Sequence, residues 1–437
     1  MLSWIVTGGY ALVVAGWWLR HVLISLVRPL DLYVEPASTD SAPARVSVII
    51  PARNERDRIS DCLRSLRDQG GAVSEIIVVD DRSDDGTAEV ARNVLGDDPR
   101  LRTERVDTLP AGWAGKAHAC MHGAAVASAE WLLFADADCR FAPGGVAGAI
   151  GYACRHDIDF LSLWLAADHR TFWEHMLIPL CGALILYWYP PLRTNHPRSS
   201  LAFANGQFIL VRRQAYERMG GHACARNTVL EDIPLATHAK QAGLRLRSAL
   251  GPGIASVRMY RSFREIWNGW ARIFAGALQR RWKLLASVVS LVGGSLLPSI
   301  GAPLAALAVL AHGWPPATLH ATLMVLLWTH CVAVYSVSYR LWGLCHCTRR
   351  HLLLYPVSVV VVIGILLRAW WWLTTRQPII WRGTPTGSRT RGQPPGPPAT
   401  FRNRAAAAGS APGGADRRNR RRPDESSSCP TDAADPR

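Results

Sequence analysis

Glu75-Ile-Ile-Val-Val79, followed at once by Asp80-Asp-Arg-Ser-Asp-Asp-Gly-Thr87, is the stretch on which the fold turns. Four consecutive β-branched apolar residues, bounded by turn formers, predict a short buried strand rather than a helix. The acidic segment behind them is a loop, and Asp85 or Thr87 can cap a helix that starts near Ala88. The same order occurs twice more. Arg45-Val-Ser-Val-Ile-Ile50 runs into Pro-Ala-Arg-Asn-Glu55 and an amphipathic stretch through Ile59, Leu63 and Leu66, while Trp131-Leu-Leu-Phe-Ala135 ends in Asp136-Ala-Asp138. Strands alternating with helices predict an α/β fold with a mostly parallel, Rossmann-like sheet, in which ligands bind off the carboxyl ends of the strands. Acidic or polar clusters follow all three strands, so they converge on one rim.

Around this core the chain is both basic and apolar, with 437 residues, a net charge of +16 and 49% hydrophobic side chains. That much apolar surface excludes disorder throughout, and the ten Cys show no regular framework and read as reduced thiols. A basic balance raises nucleic acid as a partner. However, residues 376–437 hold 12 Arg against 5 Asp+Glu, which is +7 of the +16, so no nucleic acid is expected at the folded part.

Uncharged runs locate the membrane segments, because a charge at mid-bilayer costs about 2.5 to 3.5 kcal/mol on insertion scales. Leu2 to Leu19 lacks Asp, Glu, Lys and Arg and predicts an N-terminal transmembrane anchor within residues 1–30. Leu284 to Tyr339 is uncharged over 56 residues, enough for two crossings that turn at His312-Gly-Trp-Pro-Pro316, and His351 to Leu367 supplies a third. The predicted organisation is therefore the anchor, a catalytic domain over 36–283, three transmembrane helices over 284–375, and a disordered basic tail over 376–437. Arg20 and Arg28 after the anchor, with Arg340, Arg349 and Arg350 between later helices, predict a multi-pass protein of the cell (inner) membrane with its domain in the cytoplasm. That count puts the basic tail on the far side, against the same tendency. Residues 176–192 are a further uncharged run, ending in Tyr-Trp-Tyr-Pro-Pro. A single crossing there would separate Asp138 from Asp232, so the run is expected to be interfacial, with a re-entrant or core helix as alternatives.

Asp136-x-Asp138 at a strand end suits a hard divalent cation, Mg2+ or Mn2+, through carboxylate oxygens, although Asp-x-Asp is also frequent in solvated loops. Leu230-Glu-Asp-Ile-Pro-Leu-Ala236 places adjacent carboxylates before a predicted helix, either as charge near a helix N-terminus or as a general base.

The order of these motifs, with Asn-Gly-Gln-Phe-Ile-Leu-Val-Arg-Arg213 and Gly220-Gly221-His222 ahead of Glu231-Asp232, resembles the inverting family 2 glycosyltransferases of the GT-A fold. The membrane-anchored branch is most similar: the hopanoid-associated, carotenoid and ceramide glucosyltransferases. The likeness covers about residues 44–285. It implies transfer of a sugar from a UDP- or GDP-linked donor to a membrane lipid of hopanoid, carotenoid, sphingolipid or polyprenyl type, by metal-assisted single displacement. It implies that Pro51, Arg53 and Glu55 line the nucleotide pocket, with Asp80 and Asp81 near the base and ribose. Asp136 and Asp138 then hold the metal on the diphosphate, and Asp232 is the base with Glu231 beside it. Lys116, in Gly112-Trp-Ala-Gly-Lys116, can reach the diphosphate or be an exposed lysine after a turn. Gly206 and Gln207 fall at acceptor or diphosphate positions. So do Arg280, Arg281 and Trp282 of Leu278-Gln-Arg-Arg-Trp282, a segment that departs from the family's Gln-x-x-Arg-Trp by Leu in place of Gln. Two other classes remain open from sequence, a nucleotidyltransferase of similar sheet and a non-enzymatic membrane adaptor working through the basic tail. The first lacks a Gly-rich phosphate loop after its first strand.

Overall fold

The computed structural model describes residues 2–25, 31–38, 44–228, 230–314, 318–375, 379–381 and 384–386. The expected tail lies outside the described residues except for Ile379–Trp381 and Thr384–Thr386, which pair antiparallel.

The described chain begins with helix α1 (Leu2–Ser25). The domain then runs β1 (Val46–Ala52), α2 (Ile59–Arg67), β2 (Val73–Asp81), α3 (Thr87–Leu95), β3 (Leu101–Val106), α4 (Gly115–Val126), β4 (Trp131–Ala135), β5 (Cys139–Phe141) and α5 (Gly145–Arg155). It continues with β6 (Phe160–Ala167), α6 (Phe172–Trp188), α7 (Pro191–Thr194), β7 (Phe208–Arg212), α8 (Arg213–Arg218), α9 (Asp232–Gln241), β8 (Leu246–Val257) and α10 (Phe263–Leu278). Four further helices follow, α11 (Arg281–Leu291), α12 (Leu297–His312), α13 (Thr318–Leu344) and α14 (Tyr355–Thr375).

The eight domain strands form one mixed sheet in the order β3-β2-β1-β4-β7-β6-β8-β5. β3, β2, β1 and β4 are parallel neighbours, as are β6 and β8, whereas β7 runs antiparallel to β4 and β6. The parallel half is what the strand-helix alternation predicted. β7 lies between the two parallel groups and runs against both. Both faces are covered, so strand residues bury on either side: Val46, Val48 and Ile50 pack with α2 and α5, while Ile49 meets Ala119, Cys120 and Ala124 of α4. The strand order reverses between β1 and β4, the position where open α/β sheets bind ligands.

A second apolar core joins α6, α10, α13 and α14 through Met176, Leu180, Trp270, Phe274, Trp342 and Val362. Among the described residues four helical stretches are long and apolar enough to cross a membrane: Phe172–Thr194, Arg281–His312, Thr318–Leu344 and Arg349–Thr375. The last three coincide with the uncharged runs after the domain, and α12 ends at His312, where Gly313 takes φ +78. Phe172–Thr194 joins β6 to β7, which pair with each other, so its two ends return to one sheet. Thr171 and Glu174 close a capping box at its start. The outer faces stay apolar, with Leu12, Val289 and Leu310 exposed at 75%, 71% and 83%, as suits surfaces that meet lipid rather than water.

Candidate active site

Register places the acids. β4 pairs with β7 from Trp131↔Arg212 to Ala135↔Phe208, so Asp136 and Asp138, just after β4, stand beside Gly206 and Gln207, just before β7. β1 pairs with β2 up to Ala52↔Asp80, which sets Arg53 beside the β2 acids. Asp81 receives Arg82 Nε at 2.9 Å and has Arg53 Nη1 at 3.9 Å. Asp80 accepts from the Ser83 amide at 3.0 Å and faces Arg105 at 3.5 Å, so it also shapes its own turn. Gly115, the first residue of α4, comes so close to this pair that a Cβ there would lie 2.1 Å from Asp81 Oδ2. Only glycine lets the helix start there, with Lys116 directed into the cleft.

Lys116 Nζ lies 2.6 Å from Asp136 Oδ1 and 2.7 Å from Glu231 Oε1. Glu231 is the N-cap of α9 and Asp232 its first residue. Asp232 accepts from the amides of Gly206 at 3.0 Å and Ile233 at 2.8 Å. Gly206 fits because a Cβ would sit 3.0 Å from Glu231 and 3.2 Å from Lys116. Five of the expected residues, from four separate segments, thus meet within one hydrogen-bonded cluster.

The two adjacent carboxyls titrate apart. Burial pulls Glu231 upward, but the Lys116 charge and hydrogen bond outweigh it and hold Glu231 below the usual carboxylate range. Burial together with the Glu231 charge pushes Asp232 up to about 7. Lys116 is held well above its ordinary value because the attraction of Asp136 and Glu231 overcomes its burial. Beneath them His222 is buried, bonded to the Tyr216 hydroxyl at 2.8 Å, and pushed down to about 4 by its burial, so it is a neutral packing group.

On the metal question the donor chemistry fits. Burial, with Asp136 and Glu55 nearby, raises Asp138 to about 7, and its Oδ1 is buried without a hydrogen-bond partner among the described residues. An orphaned carboxylate oxygen among like charges is what a hard cation relieves. Among the described residues no three His, Cys, Asp or Glu side chains converge to hold a metal, so such an ion would rely on these two carboxylates and on substrate oxygens.

The acids form one end of a cavity of about 1750 Å³. Pro51, Arg53, Glu55, Lys116, Asp136, Asp138, Gly206, Gln207, Glu231 and Asp232 all line it. The cavity continues without a break between the helices, past Ile178 and Leu184 of α6, Ile273 of α10, Trp342 of α13 and Tyr355 of α14, to Trp17 of α1. Five expected residues do not line it: Asp80 and Asp81, buried at the end of β2 among their own turn and arginine partners, and three further along the chain. Arg280, Arg281 and Trp282 are exposed at the α10–α11 junction and do not line the cavity, and Trp282 packs edge-on against Trp188 at 5.5 Å. The reason is a backbone turn: Gln279 takes φ +52 and ends α10, directing the following residues outward. Sequence reasoning also missed cavity residues, among them Arg58, Tyr260 and Arg272. No local pattern marks them, since each reaches the cavity through tertiary packing.

A sheet with acid-bearing strand ends at its switch point, opening into a cavity shared with long apolar helices, is an architecture of the GT-A type. Residues 47–220 match the family described as glycosyl transferase family 2, and the chain is a glycosyltransferase. It is similar to the 4,4'-diaponeurosporenoate glycosyltransferases of Staphylococcus aureus, for example strains MRSA252 and USA300. Each is 28% identical over 265 residues, covering 59% of this chain and 68% of the relative. Among solved structures it is similar to a mannosyltransferase from Pyrobaculum calidifontis in complex with GDP-Man and Mn2+. That match has 18% identity and a TM-score of 0.49, and covers 85% of this chain and 99% of the other.

Proposed function

We propose that the chain moves a sugar from a UDP- or GDP-linked donor to a hydroxyl or carboxyl group of a membrane lipid, with inversion at the sugar. The observation that carries this reading is the single cavity running from the carboxylate cluster into the apolar helix bundle. A polar donor and an apolar acceptor can meet in such a space without either leaving its own phase. The staphylococcal relatives, whose name gives 4,4'-diaponeurosporenoate as the acceptor, support a carotenoid-type lipid.

Asp232 is the base in this reading. Glu231 is engaged by Lys116 and stays ionised, so it is a poor proton acceptor, whereas a carboxyl near pH 7 can take and release a proton. The Gly206 amide aims the Asp232 carboxylate. Asp232 withdraws the acceptor proton as the acceptor oxygen attacks the anomeric carbon from the face opposite the diphosphate, and the bond to the diphosphate breaks. Arg53 and the β2 acids hold the nucleoside end, and Asp136 and Asp138 would hold Mg2+ or Mn2+. Such an ion, when bound, neutralises charge on the diphosphate. The cleft faces the cytoplasm, in keeping with the basic residues that flank the apolar helices.

Purified protein in detergent, given Mn2+, a panel of UDP- and GDP-sugars and a membrane lipid extract, should yield a lipid heavier by one sugar in mass spectrometry. Absence of a glycosylated lipid with every donor, or undiminished transfer by Asp232→Asn, refutes the reading.

A further inference from the structure

With Arg280 and Arg281 outside the cavity, the diphosphate lacks the cation that the sequence motif implied, and α10 offers another. Arg264, Asn268 and Arg272 recur every four residues and all line the cavity, while Ile266 and Phe274 face the buried packing. Tyr260 stands beside this stripe. It lies three residues beyond Val257, whose strand pairing with Cys139 brings it next to Asp138. Its ring rests on α10 at Gly269, where a Cβ would fall 2.3 Å from the ring and from its hydroxyl. Arg272 is one turn further along the same face.

Tyr260 is only 8% exposed, lines the cavity, and its hydroxyl has no hydrogen-bond partner among the described residues. A buried polar group left unpaired costs about 1–3 kcal/mol, so such groups find a protein, water or ligand partner. Burial pushes its ionisation well above the ordinary tyrosine range, so it remains a donor at every working pH. A neutral donor and a guanidinium, next to the carboxylates suited to a cation, match the oxygens of a diphosphate.

We propose that Tyr260 and Arg272 bind the diphosphate of the donor, in the role the sequence motif implied for Arg280 and Arg281. The inference rests on the nucleotide-sugar reading above. Charge grows on the diphosphate as its bond to the sugar breaks, so fixed donors at this point favour the transition state over the bound donor.

The test is calorimetric titration of the full chain in detergent with inorganic pyrophosphate and Mn2+. Arg272→Ala should weaken binding about tenfold or more and Tyr260→Phe about three- to tenfold, as for hydrogen bonds to a charged ligand. Arg272→Lys should recover part of the loss, and Arg281→Ala should bind as wild type does. Tyr260→Phe removes one oxygen and keeps the ring on Gly269, so it decides the matter even if Arg272→Ala folds poorly. Wild-type affinity in Tyr260→Phe, wild-type affinity in a folded Arg272→Ala, or a loss confined to Arg281→Ala overturns the inference alone. If the wild-type protein binds neither pyrophosphate nor any nucleoside diphosphate, the nucleotide-sugar reading falls and this inference with it.

Discussion

Replacing Lys116 by Met tests how the cluster is held together. Its ammonium lies 2.6 Å from Asp136 and 2.7 Å from Glu231. At an effective dielectric of about 20, each contact corresponds to about 6 kcal/mol of Coulomb attraction. Most of that is offset by taking three charges out of water, since their side chains are only 19%, 30% and 11% exposed. The net cost of removing the lysine is then that of stranding two carboxylates, about 3–5 kcal/mol. For a domain of this size that lowers the melting temperature by about 6–20 °C. The sign of the pH dependence follows from Glu231. Its folded-state pKa is depressed, so its share of stability is present above its unfolded value and is lost as pH falls through the folded one. Thermal unfolding of wild type and Lys116→Met should therefore differ most near pH 8, begin to converge below the unfolded glutamate value of about 4.3, and meet only at the lower pH where Glu231 is protonated in the folded state. Equal melting temperatures at pH 8, or a gap that persists unchanged in acid, would refute the proposed electrostatic support.

Three further outcomes follow from the site. Transfer by the wild-type protein should rise with pH through about 7 as Asp232 gives up its proton, and Asp232→Asn should lower turnover by about 10²- to 10⁴-fold, measured with saturating donor. Asp138→Asn should raise the melting temperature of metal-free protein at pH 8, because it removes a carboxylate whose burial disfavours its charge, and should abolish stabilisation by added Mn2+. Gly115→Ala forces a methyl against Asp81 and should cost about 1–3 kcal/mol of overpacking, seen as weaker UDP or GDP binding by calorimetry along with a lower melting temperature.

Much of the fold was legible because it rests on local rules. The runs at 45–50, 75–79 and 131–135 are short, β-branched or apolar and bounded by turn residues, and all three are strands of one sheet. The acids behind them could be assigned to one rim from the parallel pairing alone. The uncharged runs after the domain marked helices for a similar reason, since a charge excluded from lipid leaves its trace in composition. The antiparallel β7 was not legible, and neither was the path of α6, because both depend on where the chain returns rather than on any local pattern. Leu278-Gln-Arg-Arg-Trp282 shows the limit of motif reasoning most directly. Its chemistry matches a diphosphate site, yet one residue, Gln279 at φ +52, turns it away from the cavity.

By itself, then, the sequence determined the parallel half of the sheet, the order of its acid-bearing ends and the apolar helices that follow α10, since periodicity and composition are carried by neighbouring residues. Tertiary structure alone supplied the physical difference between two adjacent carboxyls whose roles the family resemblance had only implied. Glu231 and Asp232 are indistinguishable as sequence, and they separate only because Lys116, 115 positions upstream of Glu231, places its charge on one of them. Through-space Coulomb interaction falls with distance, not with position along the chain, and the same holds for the cavity that joins carboxylates to apolar helices.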